Sequence, residues 1–166
     1  MPIRPYAHLL PTLFDRLRDD APHRRTELAS EISLSQNELL QIIYRDLGYL
    51  LNTVNIANTI NLEAFPVAEA STINYGISPL AGGYLSEKKW RNIERIIRRA
   101  ILNFEPRLLP DSLSVIPLAN GESSHHYNIL QFEISALVHA DPYPIEFLVQ
   151  SSVDLESSRL SLLPLR

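Results

Sequence analysis

Two stretches of the chain carry apolar residues at helical spacing, and the stretch that follows carries them at every second position. From Ser35, Leu39, Ile43, Leu47, Leu50 and Leu51 recur in steps of three and four, with Leu40, Ile42 and Tyr44 widening the stripe. Ser35 and Glu38 form a capping-box signature at its start, and the helix is predicted to stop near Asn52. So wide a stripe implies burial on more than one side.

The second helix is predicted from a cap at Ser86, with Glu87 in the first turn where the helix dipole favours negative charge. Trp90, Ile93, Ile97, Ala100, Ile101 and Phe104 make its apolar face, while Lys88, Lys89, Arg91, Arg95, Arg98 and Arg99 lie largely off it. Pro106 ends it, because proline lacks an N–H and disfavours helical geometry at the residue before it.

Beyond Pro106 the period is two. Leu113 to Leu118 reads as a short strand, with Pro117 marking an edge or bulge. A polar turn opens at Asn120-Gly121 and runs through His126. Leu130, Phe132, Ile134, Ala136 and Val138 then alternate with polar residues, and after Asp141-Pro142 so do Ile145, Phe147, Val149 and Val153. The expected fold is α+β: two main helices on a small antiparallel sheet of about three strands, plus a short N-terminal helical segment near Pro11–Leu17. The expected organisation is a partner-facing segment at 1–35, one α+β domain at 36–155, and a tail at 156–166 that either extends the sheet edge or stays free of it. Residues 52–85 form a long connection rich in turn residues, among them Asn74-Tyr75-Gly76 and Gly82-Gly83.

Composition narrows the chemistry. The 166 residues carry a formal net charge of -4 and contain no cysteine, which excludes disulfides and cysteine-based zinc sites. An acidic chain argues against nucleic acid as a partner, and no aromatic residues interleave the basic helix face to stack bases. No apolar run reaches the roughly 20 residues that span a bilayer, and the N-terminus lacks a signal-like apolar core, so a cytoplasmic protein is expected.

No G-x-S-x-G, H-E-x-x-H or phosphate-loop motif occurs. Glu63, Glu105 and Glu133 are candidate acids, but no spacing brings a pair together as a glycosidase requires. His125-His126 supplies too few ligands for a defined metal site. No catalytic, cofactor or metal site is therefore expected. The remaining feature is Glu105-Pro106-Arg107, where proline fixes the corner and arginine offers a planar fork of donors. Read from the residues alone, it is either an internal Glu–Arg latch or a docking corner for another protein.

Tyr44-Arg45-Asp46-Leu47, Leu50-Leu51-Asn52-Thr53, Ile73-Asn74-Tyr75-Gly76 and Phe104-Glu105-Pro106-Arg107-Leu108 occur in the order and approximate spacing of the TssE family. The sequence resembles these type VI secretion baseplate subunits, which are related to wedge proteins of contractile phage tails, from about residue 10 to 155. It departs at Val54, where members often carry arginine, and in the stretch to Asn61.

The resemblance implies a non-catalytic structural subunit, without cofactors, assembled at the inner face of the cell envelope. It would join the wedge proteins TssF and TssG, and TssK, and help start assembly of the TssB/TssC sheath. It assigns Glu105, Pro106 and Arg107 to the wedge contact. Arg95, Arg98 and Arg99 on the basic face join them as expected protein-binding residues, with Ile145, Phe147 and Val149 on an expected edge strand, Ile145–Val153, open to strand addition. Membrane contact would be indirect. The alternative is a lysozyme-like peptidoglycan hydrolase, from a label attached to the phage relatives.

Overall fold

The computed structural model describes residues 11–17, 22–25, 34–61, 64–69, 71–80, 87–118 and 129–164. The expected cap at Ser86, the Gly82-Gly83 turn, Glu63 and the turn from Asn120 through His126 lie outside them.

Helix α2 spans Gln36–Asn52, and the capping box forms: Ser35 Oγ accepts from the Glu38 N–H, and Glu38 accepts from the Ser35 N–H. Its buried residues are Leu39, Ile43, Leu47, Leu50 and Leu51, the stripe expected. Helix α1 is one turn, Leu13–Arg16, capped by Thr12. A short helix, α3, covers Pro66–Glu69 in the long connection. Helix α4 covers Glu87–Phe104 and buries Ile93, Ile97, Ala100 and Ile101.

Among the described residues four strands form one antiparallel sheet in the order β1 (Ser114–Leu118), β2 (Ile129–Val138), β3 (Ile145–Asp154), β4 (Arg159–Pro164). The period of two works as read. Phe132, Ile134, Ala136 and Val138 pair with Ser151, Val149, Phe147 and Ile145 on one face, the face against which α2 and α4 pack. Trp90 lies against Phe132 with ring centroids 5.9 Å apart. Helices α2 and α4 both pack on this side, so the described residues form a two-layer α+β arrangement.

The fourth strand is a difference from the expected three. The tail takes the first of its two expected courses and extends the sheet as β4, which pairs with Val149–Asp154 of β3. Its turn is built by Asp154, whose carboxylate accepts from the Glu156 N–H and the Ser157 hydroxyl, and by Ser158 at φ 54. Ser158 holds a left-handed conformation without being glycine, so the usual turn signal is missing.

The edge assignment is also corrected. Over Val149–Asp154, β3 is flanked on both sides and is no edge strand. The outer side of β4 faces α2, which closes it. The Asn52 carboxamide accepts from the Leu160 N–H at 3.0 Å and donates to the Leu160 carbonyl at 2.9 Å, as a neighbouring strand would. Two turns earlier the Tyr44 hydroxyl donates to the Leu162 carbonyl. Gly48 lies between them on the same face of α2, where a Cβ would meet Leu162 Cδ1 at an ordinary contact distance of 3.9 Å. At the opposite edge Pro117 has no N–H to offer, and Arg98 Nη1 donates to the Leu113 carbonyl at 2.7 Å.

Candidate functional site

Helix α4 ends at Phe104, and the following corner is fastened to the sheet. The Glu105 N–H still bonds the Ile101 carbonyl at 2.9 Å, whereas Pro106 cannot continue the ladder. Leu108 then bridges to Val138, the His139 N–H donates to the Arg107 carbonyl at 2.8 Å, and the Leu109 N–H donates to the Leu137 carbonyl at 2.8 Å. Pro106 is exposed, Arg107 half-buried, and Glu105 only 3% exposed.

A carboxylate so buried needs compensation. Arg107 supplies it as a fork, Nε to Glu105 Oε1 at 2.6 Å and Nη2 to Oε2 at 2.5 Å. Nη2 also reaches Asp46 Oδ2 on α2 at 2.7 Å. Asp46 Oδ1 in turn accepts from Arg45 at 2.8 and 3.0 Å, and Arg45 donates to Asp15 on α1 at 2.5 and 3.2 Å. The result is a line of alternating charge from Glu105 through Arg107, Asp46 and Arg45 to Asp15. Burial weakens the hold of Arg107 on its proton, but Glu105 and then Asp46 outweigh it, so its pKa rises. Hydrogen bonding from Arg45 lowers the pKa of Asp15. Arg107 Nη1 is buried without a partner.

The other motifs close around the same corner. Tyr75 meets Phe104 edge to face at 5.4 Å. Its phenol pKa is raised by burial first, then by the charges of Asp46 and Glu105. Gly76, at φ 113, passes so close to the first long helix's exit that a Cβ would lie 2.3 Å from the Thr53 carbonyl oxygen. There the Ile77 N–H donates to Thr53 O at 2.9 Å and the Asn55 N–H to Ile77 O at 3.1 Å. The end of α2, the connection at Tyr75-Gly76 and the exit of α4 thus share one small region. Spacing along the chain carries no such information; the charge pattern of Asp46 against Arg107 was its only trace.

The two readings left open for Glu105 and Arg107 resolve toward the latch in the isolated chain, since the pair is internal. Of the expected basic face, Arg95 is exposed, Arg98 binds the chain entering β1, and Arg99 pairs with Glu69 at 2.6 Å. Ile145 is half-buried, and Phe147 and Val149 point into the core, so their side chains are unavailable to a partner. Glu133 alternates with buried Phe132 and Ile134 and so lies on the sheet face away from the helices, apart from Glu105. Among the described residues no cluster of His, Cys, Asp or Glu could hold a metal ion, and no helix is long and apolar enough to cross a membrane. His125-His126 lies outside them.

Residues 37–143 match the family model of the baseplate wedge protein gp25, a span that contains all four motifs. No curated protein and no solved structure matches the chain.

Proposed function

The chain belongs to the baseplate wedge protein gp25 family, and from that we propose that it is a structural, non-catalytic subunit of a type VI secretion baseplate wedge. In this reading it works in the cytoplasm, at the inner face of the envelope. It joins the wedge proteins TssF and TssG, with TssK nearby, and helps start the TssB/TssC sheath. The observation that carries the reading is the corner itself. A charge line that starts at buried Glu105 and runs out through half-buried Arg107 and Asp46 fixes the corner, while Pro106 is left exposed on a rigid mount. A docking surface gains from such preorganisation, because little freedom is lost on binding.

Leu13, on α1, and Leu17, just past its end, are 73% and 76% exposed and supply apolar surface on the segment that Asp15 ties to Arg45. Strand addition in this assembly requires the closed outer side of β4 to open, or a strand to seat beside β1 despite Pro117. The hydrolase reading gains nothing from the geometry. Of its candidate acids, Glu105 is held by a guanidinium fork and Glu133 lies apart from it on the sheet face away from the helices.

The test is co-expression with TssF and TssG followed by purification and mass measurement of the complex. Arg107→Ala alone is a poor probe, since it strands the Glu105 charge. The paired change Glu105→Gln with Arg107→Gln leaves no unpaired buried charge and is expected to stay folded yet fall out of the complex. Undiminished co-purification of that folded double variant would sink the docking role of the corner.

A further inference from the structure

Helix α1 is built inside out. Three large apolar side chains on or just past this turn, Leu13, Phe14 and Leu17, are all exposed, and the turn buries none of its residues. The polar Asp15 is the one that faces the domain. Arg45 of α2 grips its carboxylate, Nη1 to Oδ1 at 2.5 Å and Nη2 to Oδ2 at 3.2 Å. The same guanidinium lies 5.8 Å from the centre of the Phe14 ring. Thr12 aims the carboxylate, its hydroxyl donating to Oδ2 at 2.5 Å and accepting from the Asp15 N–H at 3.3 Å. Among the described residues, every polar contact between α1 and the domain therefore ends on Arg45.

A single turn does not stand by itself, since helices shorter than about 12–15 residues are marginal in water. Fixing its backbone costs freedom that buried apolar area normally offsets, and α1 has no such area. What sets it against α2 is one partly exposed ion pair, of a kind that shifts an equilibrium by about fivefold at most. Docked and free states of α1 are thus close in energy. Release also strands no charge. Arg45 keeps Asp46, bound at 2.8 and 3.0 Å, and its side chain is 33% exposed, so water can take the place of Asp15. Glu105, at the other end of the charge line, is buried and has no such exit. The line is locked at the corner and loose at α1. We propose that α1 is a charge-held strap: Pro11–Leu17 exchanges between a place docked on Arg45 and a free state, the rest of the domain staying folded in both, and ionic strength sets the balance. Release takes Leu13, Phe14 and Leu17 off a fixed mount beside α2. The strap rests on α1 and α2 alone, whatever the corner docks.

The chain has no cysteine, so Leu17→Cys places a single nitroxide label on the full chain, at an exposed position just past α1. At low salt the label is expected to broaden the amide signals of Arg45 and its neighbours on α2. Raising salt from about 0.1 M to about 1 M shortens the screening length from about 10 Å to about 3 Å, and the docked-to-free ratio is expected to fall by about fivefold. Amides in the middle of β2 should stay unchanged throughout. Asp15→Asn keeps the side chain's shape without its charge, and is expected to remove most of the broadening already at low salt. Apolar packing in place of charge would hold α1 through both changes. Broadening that survives high salt, broadening that survives Asp15→Asn, or none at low salt in the labelled chain would each overturn the strap. Those failures would leave the corner's role intact, because the Glu105/Arg107 double variant reads it separately.

Discussion

Arg107 carries two duties at once, neutralising Glu105 inside the protein and tying α4's exit to α2 through Asp46. Truncating one member of a buried pair is far costlier than removing both. Arg107→Ala should therefore lower stability by about 3–5 kcal/mol in urea denaturation, and the Glu105→Gln, Arg107→Gln double change by clearly less. A double-variant loss equal to the sum of the single losses would contradict the latch. Gly76→Ala is a second residue-level test. The left-handed backbone and the Thr53 carbonyl together leave no room for a methyl, and a cost of at least about 1–3 kcal/mol is expected. At the far end of the charge line, Asp15 has a folded pKa below the ordinary 3.8, mainly through Arg45. A depressed carboxylate stabilises the fold above its unfolded pKa, and that contribution is lost as pH falls through the folded value. Asp15→Asn should consequently flatten the acid limb of the stability profile below about pH 4, leaving neutral behaviour of the remaining carboxylates unchanged.

Among the elements, α2 has the most tasks: it fills the core with one face, offers Asp46 to the corner, and guards β4 with Tyr44, Gly48 and Asn52. Asn52→Ala removes both bonds to Leu160. The Leu160 amide should then lose most of its protection in hydrogen exchange, while amides in the middle of β2 keep theirs. Protection unchanged at Leu160 would show that the carboxamide is not what closes the edge. Helices α2 and α4 and strands β2 and β3 were legible because each has a long, unmixed period and a strong boundary: the Ser35–Glu38 box, Pro106, Asp141-Pro142. Strand β4 was not. Only Leu160 and Leu162 show its inward phase, Leu163 breaks the alternation, and Ser158 disguises the turn. The mistaken edge followed from the missing strand. The corner's residues were legible as a motif, but the identity of the partner of Arg107 was a matter of tertiary distance, 61 positions away in the chain for Asp46.

At the scale of the molecule, the helices lie on one face of the sheet and the other face carries Glu133, Gln131, Gln150 and Ser152 among apolar Ile116, Leu148 and Leu163. The clasp of Asn52 on Leu160 joins positions 108 apart. That separation has a consequence for synthesis on the ribosome. Helix α2 and the corner can dock as soon as β2 has emerged, but β3 keeps a bare side until β4 follows, and β4 is covered only when it meets a helix made long before. Any state of the chain in which β4 has not yet docked thus displays an unpaired strand, the condition in which chaperone capture or misassociation is most effective. How soon β4 docks, rather than the final stability of the chain, is then what governs how much of it escapes that fate.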